Sequence, residues 1–254
     1  MLRKGDLTQG GITGTLLHFT LPMMVGSFLQ QCYNIADTLI VGQCIGAGAL
    51  AAVGSAYTLM VFLISVLLGL AMGSGTVFSL HYGAGNHVAL RRSIFSSFVL
   101  IGIVTLILNV AVFIWLDPIL RLLQVPQDIY GMMRSYSWII FCGIVFTFIY
   151  NFYASLLRAV GDSVTPLWFL AVSVVLNIAL DLFFILQLDW GIQGAAAATV
   201  LAQGVAALGI IIYTYRRRPE LRWHHEDMCF DRTCLKEIAS FSTLTCVQQS
   251  VMNL

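Results

Sequence analysis

The sequence predicts an all-α polytopic membrane protein, a six-helix transmembrane bundle with a partial seventh helix. Of its 254 residues, 59% are hydrophobic and 10% are charged, whereas a soluble domain carries roughly a quarter charged residues. The mean hydropathy is +0.87. The apolar residues also come in runs of about twenty, the length that crosses ~30 Å of hydrocarbon as a helix. A net charge of +1 argues against nucleic acid as a partner.

Six apolar spans follow one another along the chain, each ended by a polar or turn-rich segment. Their bounds are Leu16–Gln43, Leu50–Leu80, Ser93–Leu116, Met132–Leu157, Thr165–Leu188 and Ile192–Tyr215. A further apolar run from Leu235 to Leu254 predicts the start of a seventh helix. We therefore expect a bundle over residues 1–215, a cytoplasmic linker over 216–234 and an incomplete first helix of a second bundle over 235–254.

Local signals support these bounds. The first span is too long for a cleavable signal peptide and lacks a small-residue cleavage site. The second span, at about 30 residues, must tilt or extend past the membrane. Gly83-Ala84-Gly85-Asn86 then marks the link to the third span. The pair Thr165-Pro166 predicts a helix N-cap followed by a proline in the first turn of the fifth span.

Lysine and arginine residues indicate the orientation of these spans. With the N-terminus in the cytoplasm, eleven of the thirteen Lys and Arg residues fall in inner segments. The outer links then hold only Arg121 and Arg134, together with Asp117, Asp128 and Asp189. Such an excess of basic residues is typical of cytoplasmic loops. We therefore predict a multi-pass protein of the cell membrane with its N-terminus in the cytoplasm.

Two of the twelve acidic residues, Asp37 and Asp181, lie inside apolar spans. A carboxylate in hydrocarbon costs a few kcal/mol or more, and chains keep one there mainly to handle an ion or a proton. At ~1.5 Å per residue, Asp37 lies ~13 Å and Asp181 ~7 Å outward of the midpoints of their spans. Thr199 of the sixth span lies ~6 Å outward by the same rise. Three helices thus place polar residues in the outer half of the membrane.

Polar residues around these positions repeat at helical spacing. They are Gln30, Tyr33, Asn34 and Asp37 on the first span, Asn177 and Asp181 on the fifth, and Thr199 and Gln203 on the sixth. If they face inward together, they surround one wet cavity with carboxylates, an amide, a phenol and a hydroxyl. Hard oxygen ligands of this kind suit a small cation, and two nearby carboxylates tend to share a proton. The same site can therefore exchange a proton for a sodium ion.

A second interpretation of the neutral polar residues stays open. A single polar residue in a span is often a hydrogen bond between helices, worth about 1 kcal/mol or less. The residues that fit this interpretation when taken alone are Gln30, Gln31, Asn109 and Gln203. Asn34 fits it and the ion site equally well. Pro22 predicts a bend early in the first span, which is either a static kink or a hinge for the end that carries Asp37.

No enzyme is predicted, because the sequence contains no HExxH, Walker loop or GxSxG motif. No cofactor is expected beyond the coupling ion. The six cysteines show no CxxC spacing, and we expect free thiols packed as small hydrophobic residues. His224, His225, Cys229 and Cys234 match no standard zinc pattern. Sodium at the acidic site is therefore the one metal ion that the sequence suggests.

Several segments resemble the multidrug and toxic compound extrusion (MATE) family of secondary transporters. They are Leu21-Pro22 through Asn34–Thr38, Leu157–Asp162 with Thr165-Pro166, Val175–Asp181 and Gly191–Thr199. The resemblance implies one lobe of a 12-helix fold, in which two bundles alternate between inward-open and outward-open states. It also implies an antiporter that exports drugs or toxic organic compounds, often cationic, in exchange for Na+ or H+.

The resemblance also implies particular site residues. The cation or proton site of the first bundle is then formed by Asp37, Asn177, Asp181 and Thr199, with Tyr33 beside it. Pro22 corresponds to the kink proline, and the substrate-cavity candidates are Gln30, Asn34 and Gln203. Only the first bundle is present in the sequence, so we expect a fragment or truncated product. Its partners would be membrane lipids and either the missing C-terminal bundle or a second copy.

A flippase for lipid-linked saccharides of the same superfamily is one alternative. Such proteins line their cavity with cationic residues that bind phosphate, and the interiors of these spans lack Lys and Arg. A non-transporting membrane fragment, in which the two aspartates only hold helices together, is the other alternative.

Overall fold

Eight α-helices make up the part of the chain that the structure, a computed structural model, describes, residues 12–222 and 232–252. They are α1 (Ile12–Cys44), α2 (Ala47–Gly83), α3 (His87–Leu122), α4 (Gln127–Cys142), α5 (Ile144–Ala159), α6 (Val164–Leu182), α7 (Gly191–Arg217) and α8 (Arg232–Met252). A π-helical segment, Phe183–Gln187, extends α6, and a 3-10 turn, Pro219–Leu221, follows α7. These ranges contain no strand, so the predicted all-α fold is confirmed.

Most of these helices can cross a membrane. α2, α3, α6 with its π-helical extension, and α7 are each long and apolar enough, and α4 with α5 makes a fifth crossing when the bent pair counts as one span. α1 is 33 residues long, and it contains the predicted first span. At ~1.5 Å per residue it reaches about 50 Å. The chain is therefore a multi-pass membrane protein, as predicted.

The predicted fourth span, Met132–Leu157, is wrong as a single continuous helix. α4 ends at Cys142, α5 begins at Ile144, and the two meet at an angle of 45°. Gly143 lies at the break, where a Cβ would lie 2.5 Å from a methyl carbon of Val200 on α7. The close approach of α7 therefore requires glycine at this position.

Aromatic and aliphatic side chains of α2, α3, α4, α5 and α7 form the main core. Near its centre, Phe152 of α5 packs edge-on against Phe78 of α2 and Phe98 of α3, with ring centroids 5.9 and 5.3 Å away. Edge-to-face contacts of this kind are favourable for aromatic rings. α1 packs mainly against α6, and α6 packs against α7. The predicted polar stripes lie on these last three helices.

α8 packs along α2 through small residues, and we call this contact the α2–α8 seam (Gly69, Gly73, Ser242 and Cys246). A Cβ on Gly69 or Gly73 would collide with backbone atoms of Cys246 or Ser242, respectively. Ser242 and Cys246 also donate to backbone carbonyls of α2, at 3.4 and 3.3 Å. Glycine at these two positions therefore allows the backbones of α2 and α8 to approach closely. The assignment of α8 to a second bundle stays a prediction.

The ends of α6 and α7 are tied together at one face of the bundle. Asp162 caps α6, because its carboxylate accepts from the backbone N–H and the hydroxyl of Thr165, at 3.0 and 2.9 Å. The predicted N-cap at Thr165 is wrong, since α6 begins at Val164. Arg218 pairs with Asp162 at 3.5 Å. Beyond it, Leu221 is 3% exposed and packs between α3 and α7, which anchors the chain that leaves α7.

An ion pair ties α3 to α4 near the link that joins them. Arg134 of α4 lies 2.8 Å from Asp117 of α3, and Tyr130 donates to the same carboxylate at 2.8 Å. Both charged side chains are nearly half exposed. The basic residue at the outer end of the predicted fourth span, Arg134, is therefore paired at the edge of the bundle.

The cysteines differ from the prediction. Cys32, Cys44 and Cys142 are free and exposed, so the prediction that they pack as buried small residues is wrong. A thiol on a membrane-facing surface meets lipid tails, which are as apolar as a protein core, so burial is not required. Cys246 is free and half-buried in the α2–α8 seam. His224, His225 and Cys229 lie outside the residues that the structure describes.

Candidate functional site

Three helices bring the five predicted ion-site residues together. They are Tyr33 and Asp37 on α1, Asn177 and Asp181 on α6, and Thr199 on α7. Residues four apart share a helix face, which is why the two residues on α1, and the two on α6, point in the same direction. Asp37 is 8% exposed and Asp181 is 0% exposed. Both carboxyl groups are therefore inside the bundle.

The side chains of Asp37 and Asp181, here called the acid pair, lie within hydrogen-bonding reach of each other. In each, the oxygen Oδ1 is buried and has no hydrogen-bond partner within residues 12–222 and 232–252. A buried carboxylate oxygen without a partner is unfavourable, and burying two acids side by side adds charge repulsion. A proton or a small cation between them removes both penalties. The acid pair is thus suited to hold one positive charge.

Neutral polar groups join the helices around the acid pair. With the Asn177 amide oriented to match its neighbours, its nitrogen donates to Oδ2 of Asp181 at 3.0 Å, and its oxygen accepts from the backbone N–H of Thr199 at 3.2 Å. The hydroxyl groups of Tyr33 and Thr199 lie 3.2 Å apart, which links α1 to α7. Amide and hydroxyl oxygens are therefore available beside the carboxylates.

A cavity of about 560 Å³, counting the space at its mouth, lies next to this network. We call it the polar cavity, because its polar lining residues carry amides, hydroxyls and phenols. They are Gln30, Tyr33, Thr147, Tyr150, Asn151, Ser173, Asn177, Thr199 and Gln203. No charged residue is among those that line it. The cavity can therefore offer hydrogen bonds on its wall and negative charge only from the neighbouring acid pair.

The three substrate-cavity candidates differ in position. Gln30 and Gln203 line the polar cavity, and Gln203 also accepts a hydrogen bond from Thr147 across the α5–α7 contact. Asn34 does not line it, and its amide donates instead to Gln31 at 3.1 Å on the same helix. At ~100° per residue, Asn34 lies ~60° around α1 from Asp37, at the edge of the polar stripe. That rotation turns its side chain away from the cavity.

Tyr33, Asn177 and Thr199 belong both to the network around the acid pair and to the wall of the polar cavity. A change of charge on the acid pair alters the hydrogen bonds that these three groups make, since bonds to a charged acceptor are stronger than bonds to a neutral one. A molecule in the cavity would contact the same groups. The acid-pair network and the polar cavity therefore share three side chains.

Tyr136 of α4 is a buried residue near the acid pair with no sequence signature of its own. It is 5% exposed, and it lies close enough to interact electrostatically with Asp37, Asp181 and Tyr33. Three cavity residues on α5 were also not predicted, namely Thr147, Tyr150 and Asn151. Their spacing of three and four residues is a helical stripe, and this signal could have identified them.

The π-helical segment Phe183–Gln187 begins two residues after Asp181. The N–H of Leu188 donates to the carbonyl of Phe183, five residues earlier, at 3.3 Å, and Phe184 stacks on Trp190 with ring centroids 5.1 Å apart. π-helical turns frequently occur at functional sites. This one ends α6 directly beside the acid pair.

α1 continues through Pro22 without interruption, from Ile12 to Cys44. Proline has no N–H to donate, so the helix lacks one backbone hydrogen bond at this point. The hinge role of Pro22 stays a prediction.

A bundle of membrane-crossing helices with a polar cavity and two buried acids defines the class: a multi-pass helical membrane protein with a polar site between its helices. The MatE family model matches residues 22–183, a range that includes Pro22, Asp37 and Asp181. The chain therefore belongs to the MatE family, and the resemblance seen in the sequence is confirmed.

Curated bacterial proteins are similar to this chain. "Probable multidrug resistance protein YpnP" of Bacillus subtilis (strain 168) is 36% identical over 217 residues, which cover 85% of this chain and 49% of that protein. "Multidrug export protein MepA" of Staphylococcus aureus (strain NCTC 8325 / PS 47) is 29% identical over 202 residues, which cover 78% and 44%. The chain thus spans about half the length of the curated relatives it matches.

Solved structures share the fold. An outward-facing conformation of a multidrug resistance MATE family transporter of the MOP superfamily has a TM-score of 0.91 at 24% identity, over 98% of this chain and 55% of that chain. A MOP superfamily transporter from Pyrococcus furiosus Vc1 (DSM3638) has a TM-score of 0.87 at 26% identity, again over 98% and 55%. Its description reports a reverse polarity of the binding pocket that suggests a different function.

Proposed function

We propose that this chain forms the N-terminal half of a secondary transporter that exports drugs or toxic organic compounds in exchange for Na+ or H+. One observation carries the proposal. The acid pair is buried, its two carboxyl groups meet, and each keeps a buried oxygen without a partner in the described residues. The names of the relatives YpnP and MepA support multidrug export as the activity.

The acid pair supports exchange of one cation for another. Two adjacent carboxylates in a low-dielectric site oppose each other's ionisation, so one of them binds a proton or both share a cation. A sodium ion prefers hard oxygen ligands, and the carboxylates would hold it together with Asn177, Thr199 and Tyr33. A proton and a sodium ion would therefore bind to the acid pair as alternatives.

The shared residues support coupling between ion and substrate. When a cation neutralises the acid pair, the bond from Asn177 to Asp181 weakens, and the amide becomes free to turn toward the polar cavity. A hinge at Pro22 would let the part of α1 that carries Tyr33 and Asp37 move in the same step. A cationic substrate in the cavity and a cation on the acid pair would then repel each other, which is the condition for exchange.

The orientation of the bundle in the membrane and its partners are proposed from the distribution of basic residues and the length of the chain. The distribution of Lys and Arg supports a cytoplasmic N-terminus in the cell membrane. Residues 1–215 would form the first bundle, 216–234 the linker and 235–254 the first helix of the second bundle. A C-terminal bundle or a second copy would supply the other wall of the substrate path, and membrane lipids would surround both.

A flippase for lipid-linked saccharides is not favoured. Its substrate carries phosphate, which is bound by Arg and Lys side chains, and neither residue is among those that line the polar cavity. For the Pyrococcus furiosus transporter, too, the polarity of the binding pocket is connected with a different function.

The test is efflux of a lipophilic dye cation from cells that lack their own exporters. The cells express this chain alone or together with the C-terminal half of YpnP. Asp181→Asn is expected to abolish gradient-driven efflux at unchanged expression, because Asp37 then has no second carboxylate with which to share a cation. Asp128→Asn, at an exposed acid in the first turn of α4, is the matched control and should leave efflux unchanged. Undiminished efflux by the Asp181→Asn variant would contradict the proposed coupling role.

A further inference from the structure

Three residues of α5 line one side of the polar cavity, namely Thr147, Tyr150 and Asn151. Their spacing of three and four residues places them on one face of the helix. Each of their side chains donates a hydrogen to an oxygen atom of the protein itself. A hydroxyl or amide that has donated in this way can still accept a hydrogen bond through its oxygen. The direction of these bonds therefore decides what this wall of the cavity offers to a solute.

The amide of Asn151 has a fixed orientation. Its Nδ2 donates to the backbone carbonyl of Thr147 at 2.8 Å. Because a carbonyl oxygen can only accept, the amide must present its nitrogen there, and the opposite orientation is excluded. The amide oxygen accepts no hydrogen bond within residues 12–222 and 232–252. Asn151 therefore keeps an acceptor oxygen on a side chain that lines the cavity.

The phenol of Tyr150 is fixed in the same way. Its hydroxyl donates to the backbone carbonyl of Pro166, in the first turn of α6, at 3.0 Å. A carbonyl partner again requires the phenol to be the donor, so the phenol has no second hydrogen to give to a solute. Its oxygen can still accept. Tyr150 and Asn151 thus place two acceptor oxygens on the α5 wall.

Gln203 of α7 offers the opposite polarity. Its Oε1 accepts from the hydroxyl of Thr147, which leaves its NH2 group to donate. Both residues line the cavity, and no charged residue is among those that do. The polar cavity therefore has neutral acceptors on its α5 side and a neutral donor on its α7 side, with the acid pair as the neighbouring source of negative charge.

We propose that Tyr150 and Asn151 select organic cations that carry N–H groups, such as primary ammonium or amidinium ions, over quaternary ammonium ions. The inference rests on the proposed function, since the polar cavity must hold the exported solute. The acid pair attracts both kinds of cation through their charge. Only a cation with N–H groups can also donate to the two acceptor oxygens, and hydrogen bonds from a charged donor are the strong ones. A quaternary ion leaves those oxygens unpaired, which disfavours its binding.

The test compares two fluorescent probes that share a ring and a charge, 2-naphthylmethylammonium and its N,N,N-trimethyl derivative. The first carries three N–H groups and the second carries none. Equilibrium dialysis of the full chain in lipid nanodiscs, against matching empty nanodiscs, measures the affinity for each probe. We expect the unaltered chain to bind the primary ammonium probe about tenfold more tightly than the trimethyl probe. The N,N-dimethyl probe, with one N–H group, should lie between them.

Two variants remove the acceptors one at a time. Tyr150→Phe removes the phenol oxygen and keeps the ring, and Asn151→Leu removes the amide at similar volume. Each should reduce the preference to about threefold by weakening only the primary ammonium probe, and the double variant should reduce it to about one. A merely structural role would weaken both probes alike. If thermal unfolding shows that Asn151→Leu has lost the fold, Tyr150→Phe alone decides the test.

A matched control is Tyr57→Phe, at a tyrosine of α2 that is 49% exposed and is not among the residues that line the polar cavity. It should keep the tenfold preference. Ser173→Phe adds a ring on the α6 side of the cavity and should weaken the binding of both probes, which shows that they bind there.

The outcomes separate this inference from the proposed function. Equal affinity of the unaltered chain for the two probes, both weakened by Ser173→Phe, would overturn the selection and leave the cavity as the solute site. A preference that survives the double variant would also overturn the selection, because other groups would then make the contact. If neither probe binds, or if Ser173→Phe has no effect, the cavity is not the solute site, and the proposed function is contradicted as well.

Discussion

The α2–α8 seam and the acid pair are both places where helices meet closely, and they are built in opposite ways. In the seam, glycines allow the backbones to touch, and Ser242 and Cys246 donate to backbone carbonyls. At the acid pair, two carboxyl groups meet, and each keeps a buried oxygen without a partner in the described part of the chain. The seam is complete as it stands, whereas under the proposed function a cation or a proton would complete the acid pair.

This difference separates polar residues that hold the fold from polar residues that act on a ligand. Helices in a membrane associate through packing and hydrogen bonds, because lipid tails compete equally for apolar surface. Added volume should therefore disrupt the seam, and a change of charge should alter the acid pair without unfolding the bundle. The variants below test that contrast.

Gly73→Val is expected to have the largest structural effect. Its Cβ would collide with the backbone of Ser242, and overpacking costs about 1–3 kcal/mol or more where backbone must move. We expect α8 to separate from α2. Labelling of Cys246 by a maleimide, in a chain whose other five cysteines are serine, should become faster. Gly54→Val, on the same helix with no atom within 4 Å of a Cβ, is the control. Equal labelling rates in the two variants would contradict the close contact.

The double change of Asp37→Asn and Asp181→Asn should remove the response to cations and keep the fold. Neutral amides of the same shape remove the repulsion between two buried acids, so the unfolding temperature without Na+ should stay level or rise. The stabilisation by Na+ relative to choline should disappear. Thermal unfolding in nanodiscs measures both quantities. A loss of stability as large as that of Gly73→Val would instead favour acids that merely hold helices together.

Ser242→Ala should have a small effect, although it lies in the seam. It removes one hydrogen bond of 3.4 Å to α2, and such bonds in membranes are worth about 0.6 kcal/mol on average. Chemical denaturation in mixed micelles measures the change. A loss greater than about 2 kcal/mol would exceed the known range for such bonds, and would mean that the hydrogen bond, more than the close approach of the backbones, holds the seam.

Arg134→Gln should have the smallest effect. Its ion pair with Asp117 is about half exposed on both sides, and exposed ion pairs contribute little to stability. We expect the unfolding temperature and dye efflux to match those of the unaltered chain, at low and at high KCl. A clear fall in unfolding temperature that high KCl removes would show that the α3–α4 link depends on this pair.

The polar positions on α1, α6 and α7 were predictable because they depend on single-helix geometry. Spacing of four residues places Asn177 and Asp181 on one face, and the rise per residue gives the depth of Asp37 and Thr199. The helix face and the rise per residue are the same in the folded bundle as in an isolated helix. The spacing in the sequence is therefore enough to group these residues.

The break at Gly143 and the exclusion of Asn34 from the cavity depend on how one helix packs against another. The residues near each position in the sequence do not show that packing. Gly143 lies in an apolar run, and the close approach of Val200 that requires glycine there cannot be read from that run. Asn34 lies four residues after Gln30, so the sequence places both on one face of α1. Only Gln30 lines the polar cavity, because that depends on how α1 is rotated relative to α6 and α7.

The burial of Leu221 sets a limit on movement. The chain is fixed at this residue after α7 and enters α8 at Arg232, eleven residues later. A fully extended strand of that length reaches roughly 35–40 Å at ~3.3–3.6 Å per residue. If α8 leaves α2, its first residue, Arg232, therefore stays within this distance of Leu221.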